Sequence, residues 1–273
     1  MAKVVKDGGT DLTATIVTRG AVTAFVAVTG LVVGSFLNVV VYRVPRGLSV
    51  VKPPSFCPHC DTRVRPVDNV PVLSWIFLRG KCHACRGQIS IRYPLVELAT
   101  GIVFAAVGWG LGPHWAVPGF CVLAATLVAL VAVECDGLAP PLSVAVIGTA
   151  IAVALLIAAG AADRRWAHVI GLAIAVLAAA AVMVGGGRSR RAGAESWKGS
   201  LPVLLPVAAA LGWLGPAYVA EGVASTFVAL LAIRAFSRRR FPGHQGAWLG
   251  VALATGAVVA TVVAVAVGAG AGT

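Results

Sequence analysis

The chain has 273 residues, 59% of them hydrophobic, with a mean hydropathy of +0.91 and a formal charge of +12. A soluble domain is about 45–50% apolar, so this composition excludes an ordinary soluble protein and indicates a multi-pass membrane protein. The charge does not imply nucleic acid, and no nucleic-acid partner is expected: the Lys and Arg residues sit in short segments between apolar runs, where membrane topology accounts for them.

Residues 1–14 are polar and are expected to be disordered, within a polar N-terminal segment of residues 1–20. An apolar run then extends from about Ala21 to Tyr42. It is too long for a signal-peptide core and ends in Tyr42-Arg43-Val44-Pro45-Arg46 rather than at a small-residue cleavage site. It is read as a retained transmembrane helix. Gly30 and Gly34 form a small-xxx-small pair that admits a close helix neighbour. Asn38 is polar at membrane depth and is expected to face protein rather than lipid.

Residues 43–93 form the sizeable polar segment. Cys57-Pro58-His59-Cys60 and Cys82-His83-Ala84-Cys85 are two Cys-x-x-Cys knuckles, and 21 residues separate them. Each knuckle can present two thiolates to one ion, and four soft thiolates in a tetrahedron suit zinc. The gap is slightly beyond the usual window for such pairs. Two disulfides are the alternative, disfavoured because nine basic residues flank the cysteines and place the segment in the reducing cytosol. His59 and His83 could replace a cysteine, but four sulfurs already fill the shell. About 50 residues make a weak core alone, and a structural metal supplies the missing folding energy. The stretch Asp68–Leu78 is unusually apolar for a loop, and lies on the membrane surface or docks on the bundle. Cys121 and Cys135 read as small buried hydrophobes.

Further apolar runs at about 94–110, 117–133, 142–161, 167–186, 201–214, 217–236 and 246–270 bring the expected spans to eight. The expected fold is therefore an all-α polytopic membrane protein, with a cytosolic metal-binding insert at 43–93 and a seven-helix membrane domain at 94–273. The 201–214 run is short and holds Pro202 and Pro206, which makes it the weakest span. With the 43–93 loop inside, 17 of the 22 Lys and Arg residues fall on the inner side. The bias predicts both termini outside.

Acids are scarce, so those near spans carry information. Glu134 and Asp136 precede Pro140-Pro141 at the inner end of the third span. Two residues apart on a helix, they point to different faces and do not form a shared-proton pair with each other. An intramembrane aspartic protease needs a second acid from another helix, so that one carboxyl keeps a proton while the other activates water. The plain alternative is a pair of solvated loop acids. Glu97 lies three residues after Pro94 and reads as a helix-start acid or as the partner of an arginine of the metal segment. Glu221 reads as interfacial.

The run Gly34-Ser35-Phe36-Leu37-Asn38-Val39-Val40-Val41-Tyr42-Arg43-Val44-Pro45-Arg46 resembles the opening of the prepilin peptidases, the type IV leader peptidases. So do Pro53–Cys60, Asp68–Trp75, Leu78–Cys82 and Ile89–Glu97. The resemblance is dense over about residues 30–110; beyond that, Ala210–Gly215 and Arg240–Gly243 resemble the late helices. It implies an eight-span cytoplasmic-membrane enzyme that cleaves the basic leader from prepilin-like precursors. It further implies, for many members, N-methylation of the new terminus with S-adenosylmethionine. Its peptidase uses two aspartates, the first in an Asp-x6-Pro-Asp pattern and the second in Gly-x-Gly-Asp-x-Lys. Here seven residues before Pro141 stands Glu134, Leu142 follows the proline, and Asp136 is two residues off register. The second loop reads Gly193-Ala194-Glu195-Ser196-Trp197-Lys198, with Glu195 as its acid.

Three readings stand open. One is a peptidase in which Glu134 or Asp136 pairs with Glu195. Another is a homologue of pilus or type II secretion assembly that kept the metal-bearing half and lost proteolysis, acting as methyltransferase or non-catalytic partner. The third is a membrane scaffold or transporter. No familiar glycine-rich nucleotide loop is present, and Gly185-Gly186-Gly187 reads as a helix end.

Overall fold

A computed structural model describes residues 4–188 and the single positions Pro206, Ala208, Ala209 and Trp213. The expected spans at 217–236 and 246–270, Glu221 and Glu195 lie outside the described residues, as does most of the 201–214 run. The described residues form helices α1 (Val4–Arg43), α2 (Leu73–Phe77), α3 (Arg92–Leu111), α4 (Val117–Cys135), α5 (Leu142–Ala162) and α6 (Trp166–Arg188). Among the described residues, four helical stretches are long and apolar enough to cross a membrane: Thr13–Arg46, Arg92–Leu111, Val117–Cys135 and Leu142–Ala162. The chain is a mostly helical multi-pass membrane protein, with its cysteine cluster after the first helix.

The expected disorder of residues 1–14 is corrected, because α1 is helical from Val4. Extending a helix that already exists fixes one residue per hydrogen bond gained, and no proline interrupts residues 4–43. At 1.5 Å per residue, 40 residues reach about 60 Å, roughly twice a hydrocarbon core. The amino-terminal part of α1 therefore extends beyond any single crossing.

Small residues set the contact between α1 and α3, as expected from Gly30 and Gly34. A Cβ on Gly30 would lie 2.8 Å from Phe104 Cβ and 2.9 Å from Gly101 Cα, and one on Gly34 would lie 2.7 Å from Glu97 Cα. Farther along, Gly108 faces Thr23 in the same way. Without a water-driven hydrophobic effect between lipid-embedded helices, such backbone approach is what makes van der Waals packing productive. Asn38 is 3% exposed and its amide donates to Tyr93 O at 3.1 Å, so it faces α3.

Helix α4 sits at the centre, with Phe120, Leu123, Leu127 and Leu130 fully enclosed by its neighbours. Cys121 is buried within the same cluster. Cys135, at the end of α4, is exposed, which corrects its reading as a buried hydrophobe. Its place in the last helical turn before the Gly137 turn leaves it outside the packed core. Two side-chain contacts mark the two ends of the bundle. Arg92 meets Asp136 at 3.0 Å, joining the start of α3 to the end of α4. His114 meets Asp163 at 3.2 Å, joining the α3–α4 turn to the end of α5. The polar segment 44–91 and the 136–141 turn therefore share one end of the bundle.

Candidate functional site

The polar segment folds around its cysteines. The Sγ atoms of Cys57, Cys60, Cys82 and Cys85 all lie within 4.8 Å of one another. Cys57 and Cys85 are 3.8 Å apart. Tetrahedral bonds of ~2.3 Å give sulfur–sulfur edges of ~3.8 Å, so the spacing is that of ligands around one ion. The disfavoured alternative of two disulfides is not formed; all four thiols are free. His59 and His83 are not needed as ligands.

The two knuckles are built alike. Cys57 N–H donates to Thr62 O at 3.0 Å and Asp61 N–H to Cys57 O at 2.9 Å. Cys82 N–H donates to Gly87 O at 2.8 Å and Arg86 N–H to Cys82 O at 3.1 Å. The residue after each second cysteine takes a left-handed backbone, with φ of 53° at Asp61 and 62° at Arg86. One short bridge closes each turn, Phe56 with Arg63 and Lys81 with Gln88. Gly87 admits the His59 ring, since a Cβ there would stand 2.8 Å from His59 Cδ2. Each turn aims backbone amides at its own sulfurs, as at Gly87 N–H to Cys85 Sγ, 3.4 Å.

The thiols cannot all ionise alone. Side-chain and backbone hydrogen bonds from Thr62 pull the Cys60 thiol down to about 7. The amides of Cys85 and Ala84 lower Cys82. The Gly87 amide favours a Cys85 thiolate, but the neighbouring thiols and burial outweigh it and push Cys85 up to about 11. A divalent cation removes that mutual repulsion and lets all four deprotonate. The four residues fit such an ion.

A second set of contacts ties the segment to itself and to the bundle. Arg65 holds Asp68 by two bonds, 2.7 and 3.0 Å, and His83 Nδ1 lies 3.2 Å from the same carboxylate. This pulls Asp68 below the usual carboxylate range, chiefly through Arg65. Trp75 Nε1 donates to Ile89 O at 3.1 Å, with its ring laid on Gly80. The buried Glu97, 8% exposed, accepts the Val72 amide at 2.7 Å.

The Glu97 contact corrects both expectations for that residue. Helix α3 starts at Arg92, so Glu97 is past the first turn, and its partner is a backbone amide rather than an arginine. Val72 holds φ 60°, ψ −49°, a conformation unfavourable for a β-branched residue. The carboxylate holds the amide of that strained residue.

Among the described residues, the candidate acids Glu134 and Asp136 do not converge. Glu134 is fully enclosed at the end of α4, 0% exposed. Asp136, at the cap of the same helix, turns to Arg92. Glu134 is thus not a solvated loop acid. Sequence reasoning missed the Arg92–Asp136, His83–Asp68 and Glu97–Val72 contacts. The Arg65–Asp68 pair was missed too, although its i,i+3 spacing is a local signal.

Residues 28–111 match the bacterial Peptidase A24 N-terminal domain. The chain is 41% identical over 134 residues to the prepilin leader peptidase/N-methyltransferase of Neisseria gonorrhoeae, covering 40% of this chain and 47% of that protein. It is 44% identical over 131 residues to the protein of the same name from Myxococcus xanthus, covering 48% of this chain and 39% of that one. Over its N-terminal half the chain is similar to the prepilin leader peptidase/N-methyltransferases. It spans less than half the length of these two relatives. No solved structure matches it significantly. The family part contains the whole cysteine cluster, Glu97 and Arg92, while Glu134, Asp136 and Glu195 lie beyond residue 111.

Proposed function

We propose that this chain is a cytoplasmic-membrane protein that engages prepilin-like precursors through a zinc-bearing cytosolic segment and has little or no leader-peptidase activity. The observation that carries this reading is the pairing of Asp136 with Arg92 at 3.0 Å while Glu134 points into the bundle. A shared-proton dyad needs two carboxyls within a few ångströms of each other. Asp136 is committed to a guanidinium, and a Glu at 134 carries its carboxyl about one methylene further than an Asp. A displacement of about 1 Å can cost roughly a hundredfold in rate.

Cys57, Cys60, Cys82 and Cys85 would hold one zinc. Four thiolates close its shell and leave no position for water, so its role is to fold the segment and not to hydrolyse. The orientation follows the basic bias: the metal segment cytosolic, both termini outside, eight spans in all. Labelling of the 43–93 loop from outside intact cells would refute it. N-methylation comes with the relatives' name, and S-adenosylmethionine as methyl donor is what the family resemblance implies. The acids of the metal segment are Asp61 and Asp68, and Asp68 already holds Arg65 and His83. Such a basic segment is poorly suited to a cationic sulfonium.

The test is cleavage of a co-expressed prepilin by the wild type and by Glu134→Gln, Asp136→Asn and Glu195→Gln. The expected result is absent or very weak cleavage, with the precursor still co-purifying. Robust cleavage abolished by Glu195→Gln and by one of the other two changes would replace this reading with a relocated dyad. Mass spectrometry of the precursor's N-terminus in the same cells reads any methylation.

A further inference from the structure

The short helix α2 and its flanks present an apolar surface that nothing in the metal segment uses. Leu73 is 53% exposed, Ile76 56% and Phe77 81%, and Val67 and Val70 are exposed beside them in sequence. Trp75, between them, turns the other way and is fixed by its bond to Ile89 O. The split is thus enforced: one side of the turn anchors the segment and the other faces outward.

The height of this surface is set by the Glu97–Val72 bond. Glu97 lies five residues into α3, about 7.5 Å below its first residue at 1.5 Å per residue. Val72 is therefore held beside the second turn of a membrane-spanning helix, and α2 starts there. The exposed Leu95, Leu98 and Ile102 of α3 lie at the same depth and below along the helix. An interfacial helix seats its apolar side about 5–10 Å into the headgroup and acyl boundary. The charge around the patch agrees. Between residues 52 and 86 stand six Lys or Arg residues against two Asp, and Arg79, Lys81 and Arg86 are exposed just after α2. Anionic headgroups attract such residues near a membrane surface.

We propose that α2 and its flanks are a membrane-contact element, with Leu73, Ile76 and Phe77 seated in the bilayer interface and Arg79 and Lys81 on anionic phospholipid headgroups. The strained Val72 and the Glu97 carboxylate fix the depth of that contact, so the zinc-bearing segment is docked on the lipid as well as on α3. The inference rests on the membrane-spanning helices and not on prepilin engagement.

The test uses the full-length protein in nanodiscs of phosphatidylethanolamine and phosphatidylglycerol. A photo-crosslinking phenylalanine analogue replaces Phe77 or, as a control, Ala84, which is exposed at the tip of the second knuckle. Phospholipid adducts at position 77 are expected at least about fivefold above those at 84, as for a side chain inside the interface. Equal yields at the two positions would overturn the proposal. So would adducts at 77 to added prepilin in place of lipid, which would make the patch a peptide-binding surface. As an independent readout, Ile76→Glu with Phe77→Glu should keep the metal content and raise tryptic cleavage at Arg79 about tenfold, because lifting the helix opens that bond. An unchanged cleavage rate with metal retained would also overturn it.

Discussion

Cys57 and Cys85 are 28 residues apart in sequence and 3.8 Å apart at sulfur. Glu134 and Asp136 are two residues apart, and one is sealed in the bundle while the other reaches Arg92. The contrast shows what brings chemistry together. On a helix, two residues differ by about 200° of rotation, so near neighbours in sequence are driven to opposite sides. In the metal segment, two copies of one tight turn aim their thiols at a common point, and loop length between them costs little. The half of the molecule that carries the family match is also the half whose reactive groups converge.

Removing the convergence should have the largest effect. Cys57→Ser with Cys82→Ser is expected to abolish metal binding and unfold the segment between α1 and α3, since structural zinc is worth about 10–16 kcal/mol of apparent binding energy to a small domain. The bundle should survive, because α1 and α3 meet through glycines and not through the metal. Elemental analysis and limited proteolysis of both proteins check this. Wild-type protein without any thiophilic metal would break the comparison outright.

The next change attacks the bundle. A side chain at Gly34 would meet Glu97 Cα, which is backbone and cannot swing aside. Gly34→Leu should cost about 1–3 kcal/mol or more by overpacking. It should also loosen the metal segment, because the same shift moves Glu97 from Val72. Gly20→Leu meets nothing within 4 Å and should stay within about 0.5 kcal/mol of wild type. Thermal unfolding in nanodiscs separates the two. Equal losses at both positions would show that close α1–α3 packing does not govern stability.

The same contrast explains how much could be read in the sequence. Hydropathy located α3 to α6 to within about two residues at each end, and the end of α1, because a helix that crosses lipid must be apolar along its length. The glycine pair and the inward Asn38 followed from the same rule. The cysteine cluster was legible because a two-residue spacing is itself the geometry of a knuckle. The helix before Ala21 was missed, since a polar composition says nothing about extension from a formed helix. Glu97 was misplaced because its partner is the Val72 amide, and a backbone group leaves no mark in a sequence. Val72 adopts the backbone region its side chain least favours, so local propensity pointed away from the contact. Arg92 and Asp136 meet only after three helices have been placed.

The smallest expected effect concerns Asp68, which joins the two parts of the metal segment through Arg65 and His83. Arg65 is half exposed, with a side-chain accessibility of 53%, and an exposed pair contributes about 0.2–1 kcal/mol. Asp68→Asn should therefore weaken zinc binding less than about fivefold, and the difference should shrink as salt rises. The sign with pH follows from the direction of the shift. Arg65 lowers Asp68 in the folded segment, so its contribution is present above the ordinary carboxylate range and is lost as pH falls through the lowered value. The thiols take up protons at higher pH, with Cys60 near 7 and Cys85 higher still. Acid should thus release the metal before Asp68 changes charge. The release curve of Asp68→Asn is expected to keep the wild-type midpoint. A midpoint moved by about one pH unit or more, a full 1.36 kcal/mol of coupling, would mean that Asp68 acts on the thiolates directly and that the four cysteines do not converge on their own.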